Sequence, residues 1–236
     1  MLLKPSGFVQ SHETKPLCLR DGGKIISAEN SVKLLGVILE PRMKFFDFVT
    51  RKIQKCNFHL SNLRAIRKSI PQDVRIILVT NLICSTLDYC NALLLCSPKF
   101  LIAKLQKTLN DGIRFIFDLR RREHISPFLY KLHVLPVEYR IKFKVSLIAF
   151  KILNGTAPSY LIDKATTYKP TTNRPTRPGS GRDKFMFECT LSMMKRDTWM
   201  SKMMFEWNQL PIELRMCQSI ELFKSKLKTY YFEQAF

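Results

Sequence analysis

Residues 124–161 read HISPFLYKLHVLPVEYRIKFKVSLIAFKILNGTAPSYL. Pro136 stands where a first-turn proline belongs, and Asn154-Gly155 supply a stop. The stretch between them is a helix pattern. Val137, Ile141, Val145, Ile148 and Ile152 fall on one face. Tyr139, Phe143, Leu147 and Phe150 fall on a second. Arg140, Lys144 and Lys151 form a narrow basic stripe between the two. An ordinary surface helix carries one apolar stripe. Two apolar faces require packing on both sides, so this helix belongs inside a helical assembly, with only the basic stripe free for solvent or a partner. Ala157-Pro158-Ser159 then starts a further short helix that ends near Tyr168.

Upstream, the helical pattern continues back to Pro41. Phe45, Val49, Ile53, Cys56, Leu60 and Leu63 recur at helical spacing, with Arg51, Lys55 and Asn62 on the far side. Ser69 and Pro71 separate this helix from one expected over about 71–96, and a third follows Pro98 with Leu101, Leu105, Leu109, Ile113 and Ile116 as its apolar face. Arg120-Arg121-Arg122 closes the unit. The first 41 residues read differently. LCLR (17–20), Asp21-Gly22-Gly23 and KIIS (24–27) make a hairpin pattern. VKLLGVIL (32–39) is a β-rich run in which Gly36 signals a bulge or a close backbone approach. Downstream, KPTTNRPTRPGSGRDK (169–184) has the composition of a loop or linker, and its cations could touch phosphate. Helix returns over about 197–208, with a turn at Pro211 and Ser219 as N-cap of a helix over 220–232. No internal repeat is present.

The composition bounds the function. The chain has 236 residues, 46% of them hydrophobic, enough to bury a core. Its 39 Lys and Arg against 19 Asp and Glu give a formal charge of +20, which favours a polyanionic partner. The excess sits in residues 42–123 and 124–236, about +10 and +9, with about +1 in residues 1–41. Seven cysteines without a Cys-x-x-Cys pair, behind an opening too weakly apolar for a signal peptide, fit reduced and mostly buried thiols of an intracellular protein, nuclear or cytoplasmic. Ile76–Cys96 is nearly long enough to span a bilayer, but Asn81, Asp88 and Asn91 make a buried core helix the better reading.

No catalytic constellation stands out. There is no Asp-Asp pair, no Gly-rich phosphate loop, no His-Glu-x-x-His and no Gly-x-Ser-x-Gly, and the four histidines are scattered. No residue is assigned a catalytic or metal-binding role. Trp199 and Trp207 lie among methionines and phenylalanine and read as core rather than as base-stacking platforms. Binding remains. Arg51, Lys52, Lys55, Arg64, Arg67 and Lys68 place six cations on one helix and its end, with no acidic residue between Asp47 and Asp73. Such an array suits a phosphate backbone, contacted without reading sequence. The Arg140, Lys144 and Lys151 stripe is a second candidate contact.

Residues 124–161 also resemble the segment that follows the thumb in reverse transcriptases of non-LTR retrotransposons, the LINE elements of the jockey and chicken-repeat type. VKLLGVILE (32–40) is similar to that family's Leu-Gly-Val segment after the palm. LDYCNALLLCSP (87–98), KLQKTLNDGIRFI (104–116), WNQLPIELR (207–215) and FKSKLKTYYFEQAF (223–236) are similar to its thumb and C-terminal stretches. The resemblance implies a mainly α protein in three parts: a small palm-end β element (1–41), a helical thumb-like domain (42–123), and a helical C-terminal domain (124–236) with a linker at 169–184. It implies a region that grips RNA or DNA template–primer beside the palm and fingers of a parent polymerase, with Leu35, Gly36 and Val37 near the primer end. Polymerisation in that family uses Mg held by palm aspartates upstream of the Leu-Gly-Val segment, and two-metal chemistry needs such carboxylates. The expectation is therefore a chain with no cofactor of its own that binds without polymerising. The rival expectations are a non-catalytic nucleic-acid-binding remnant and an inert product.

Overall fold

The computed structural model describes residues 18–21, 24–27, 31–40, 43–165, 187 and 198–236. The linker expected at 169–184 lies outside the described residues. The protein is mainly helical, with a small β element at its start.

Strands β1 (Cys18–Asp21) and β2 (Lys24–Ser27) pair antiparallel, as the hairpin pattern requires. The run 32–39 is a second hairpin rather than one bulged strand: β3 (Val32–Leu34) pairs with β4 (Val37–Leu39), and Leu35-Gly36 form the turn. Both turn residues have positive φ, +47° and +81°, which matches the twist of a two-residue hairpin. Gly36 thus supplies backbone freedom for a turn.

Helix α1 (Phe46–Ala65) buries Val49, Cys56, Leu60 and Leu63 of the face that the spacing marks; Ile53 is half-buried, and Phe48 and Lys52 join the buried side. α2 (Gln72–Val79) passes through a π turn (Thr80–Cys84) into α3 (Ser85–Asp88). The expected single helix over 71–96 is broken there. Tyr89 leaves helical geometry, Cys90 takes φ +50°, and a 3-10 helix (Asn91–Cys96) restarts the chain. α4 (Lys99–Phe117) buries Leu101, Leu105, Leu109, Ile113 and Ile116, all five expected positions. The ring of Phe46 stacks on Phe100 with centroids 5.8 Å apart, and Arg67 pairs with Asp118, so α1 and α4 run parallel. α2 runs antiparallel to α4, with Arg75 Nη1 donating to the carbonyl of Ile116 at 3.1 Å.

After α5 (Ser126–Lys131) comes α6 (Val137–Leu153), the helix read from the opening stretch. Its first backbone N–H has no partner within the helix. Gln106 of α4 supplies one, its Oε1 accepting from Val137 N at 2.8 Å. One side of α6 meets α4 and residues 91–96. The other meets α8 (Trp199–Asn208) and α10 (Ile220–Ala235), which follow α7 (Ser159–Ile162); the short α9 (Ile212–Arg215) sits between them. Phe150 stacks on Phe223 at 4.5 Å, and Ser146 and Tyr231 hydrogen-bond at 3.0 Å with both side chains buried. Ser219 caps α10 by accepting from Leu222 N, and Thr198 and Ser201 form a capping box on α8. Trp207 is buried in the core, whereas Trp199 is half-buried against it, its Nε1 donating to the carbonyl of Ala92 at 2.7 Å. The buried cluster runs unbroken from Val37 to Tyr231 and crosses position 124 through α6. Among the described residues no helix is long and apolar enough to cross a membrane.

Candidate nucleic-acid interface

Two of the expected phosphate-binding cations face inward and hold the fold. Lys52 is only 5% exposed, because it lies between Phe48 and Cys56 on the packed side of α1. Its Nζ donates to the carbonyl of Leu87 at 3.0 Å and to that of Tyr89 at 2.5 Å. Burial pulls its ammonium down from the ordinary 10.5 to about 8. Arg140 reaches the same segment from the opposite side, its Nε donating to Asp88 Oδ1 at 2.8 Å and its Nη2 to Asp88 Oδ2. Burial acts to lower the guanidinium, and the Asp88 hydrogen bonds and charge more than offset it, so the balance lies above the usual arginine value. Lys52 and Arg140 therefore fasten the end of α3 where the chain leaves helical geometry. Lys52 is withdrawn as a phosphate contact, and Arg140 has two of its donors committed to Asp88.

Arg67 is also paired internally. It pairs with Asp118 and lies 6.0 Å from the ring centroid of Phe115. Asp118, distant in sequence, thus supplies one acidic partner to the stretch between Asp47 and Asp73. The remaining cations of α1 are exposed: Arg51, Lys55, Arg64 and, just beyond the helix, Lys68. None is in an ion pair with a described residue. Arg51 and Lys55 are one turn apart on one stripe, whereas Arg64 falls on the other flank of the exposed surface. Lys144 and Lys151 on α6 are likewise exposed and without an acidic partner among the described residues.

Two aromatic features accompany these charges and were not read from the sequence. Phe58 continues the Arg51–Lys55 stripe and is 64% exposed. At the other end of α1 the stacked Phe46 and Phe100 carry Lys44 and Lys104, whose Nζ atoms stand 6.0 and 5.6 Å from the two ring centroids. Aromatic rings beside cations suit unpaired bases as well as phosphate. The signal for Phe58 was its place on the polar side of the wheel; Phe46 and Phe100 meet only in three dimensions.

The three residues expected near a primer separate. Leu35 is 85% exposed at the hairpin tip. Gly36 lies against the ring of Tyr89, whose hydroxyl donates to the carbonyl of Leu35. Val37 is buried in the core, so a contact role for it is withdrawn. No protein family, curated protein or solved structure matches the chain.

Proposed function

We propose that the chain grips the sugar–phosphate backbone of RNA or DNA, as the thumb and C-terminal region of a reverse transcriptase of the LINE type would, and that it does not itself carry out phosphoryl transfer. The observation that carries this reading is the set Arg51, Lys55, Arg64, Lys68, Lys144 and Lys151: exposed, and without an acidic partner among the described residues. Unpaired surface cations on rigid helices release counterions from phosphate without reading bases. In this proposal the β3–β4 hairpin faces the palm. Each of its strands has one partner among the described residues, and an outer strand edge of this kind accepts another strand.

A salt titration of binding to a short unstructured strand tests the reading. The log–log slope should be several units for the wild type. It should fall by roughly 0.7 per phosphate contact removed in an Arg51→Ala, Lys55→Ala, Arg64→Ala variant. Binding that ignores salt, or a variant that binds like the wild type, would sink it. Arg67 and Lys52 stay untouched in this variant because both hold the fold.

A further inference from the structure

The α6 stripe ends in a concavity. A pocket of about 250 Å³ is walled by Asp88, His133, Leu135, Arg140, Phe143, Lys144 and Lys228. Four separate segments build it, with Asp88 at the end of α3. Arg140 and Lys144 stand one turn apart on α6, Lys228 arrives from α10, and His133 comes from the loop before α6 with φ +51°. The His133 ring is flanked by Phe232 at 5.4 Å and Tyr130 at 6.5 Å. We propose that this pocket receives a phosphate dianion, presented at the end of a nucleic-acid strand or as free phosphate.

The charge count favours that ligand. Arg140, Lys144 and Lys228 bring three positive charges, and Asp88 cancels one. A terminal monoester carries about −1.5 to −2, close to the remainder, whereas a backbone diester carries one charge. Shape points the same way, since a concave pocket of this volume admits a group at a strand end more readily than a phosphate flanked by chain on both sides. The Asp88 hydrogen bonds fix the Arg140 guanidinium in place before any ligand arrives. Lys144 and Lys228 are exposed and have no acidic partner among the described residues, so their donors are available. Charge-assisted contacts from ammonium groups to phosphate are among the stronger hydrogen bonds.

Only the strand-end source rests on the proposed nucleic-acid binding; the phosphate site does not. The test compares strands of one sequence ending in phosphate or in hydroxyl. The wild type should prefer the phosphate end by about tenfold, one charge-assisted contact's worth. The preference should vanish in Lys144→Ala, Lys228→Ala, two surface changes that leave the core alone. Arg51→Ala, Lys55→Ala should weaken both strands and keep their ratio. If neither strand binds, the backbone reading fails. A titration with inorganic phosphate, followed by NMR at His133 and Lys228, then decides the pocket by itself. Shifts there, absent in the lysine double variant, establish the site with free phosphate as its source. No end preference together with no phosphate-induced shifts overturns the proposal, as does an end preference that survives in the lysine double variant.

Discussion

Lys52 holds a positive charge in a place that resists one, and its position was visible before its role was. Counting four residues back and four forward gives Phe48 and Cys56, both buried, so helical periodicity puts Lys52 on the apolar face. The carbonyls it serves lie 35 and 37 residues away and leave no local trace. Its lowered value sets a direction with pH. Between about 8 and 10.5 the unfolded chain binds the proton that the folded lysine has released. Stability attributable to Lys52 therefore rises across that window as pH increases. Cys56, pushed up to about 11 by burial, acts in the opposite sense from its ordinary 9.0, so the raw profile mixes the two. The difference between wild type and Lys52→Met cancels most of the cysteine contribution. That difference should grow in favour of the wild type by at most about 3 kcal/mol from pH 8 to pH 10.5, measured by denaturant unfolding. Near neutral pH the variant should still lose about 1–3 kcal/mol, because the Leu87 and Tyr89 carbonyls lose their donor. A flat difference across the window would show that Lys52 is not desolvated.

Helices marked at their ends by proline, glycine or a capping serine were legible: α4 after Pro98, α6 between Pro136 and Gly155, and α10 behind Ser219 all begin where the sequence marks them. The break at Tyr89-Cys90 was not, because neither residue is a helix breaker and both anchors, Lys52 and Arg140, come from other helices. Gly112 is a further case. It sits inside α4 where alanine would ordinarily be preferred. A Cβ there would stand 3.1 Å from Val79 Cγ1 and 3.7 Å from Ile83 Cγ2, so the glycine lets α2 and the π turn lie close against α4. Gly112→Ala gains up to about 1 kcal/mol of helix propensity. Against that stands a crowding cost of about 1–3 kcal/mol. A net loss of stability is expected, read from the midpoint of thermal unfolding. A net gain would mean that Val79 turns aside freely and that the contact is loose.

The charge pattern distinguished a basic protein but not which cations face outward, since burial and ion pairing are settled by the whole molecule. Arg67 finds Asp118 and Arg140 finds Asp88 across 51 and 52 residues of chain. The same scale governs how the parts cohere. The expected boundary at 123/124 falls on a stretch of chain, yet the buried cluster passes across it through α6. Val137, Ile141 and Val145 lie on one face of that helix, and Phe150 stacks on Phe223 on the other. A helix buried on two sides couples whatever lies on each. Removing the Phe150 ring should cost about 3–5 kcal/mol, as other buried phenylalanines do. If the two sides are one cooperative unit, that loss appears in both at once. The chain supplies a suitable probe, because both its tryptophans, Trp199 and Trp207, belong to α8. Their fluorescence reports the C-terminal side, and circular dichroism reports every helix. In wild type and in Phe150→Ala the two signals should trace one transition with one midpoint, shifted together by the substitution. A helical signal that outlasts the tryptophan transition would show that α1, α2 and α4 fold without α6, and that the joint is a seam between domains.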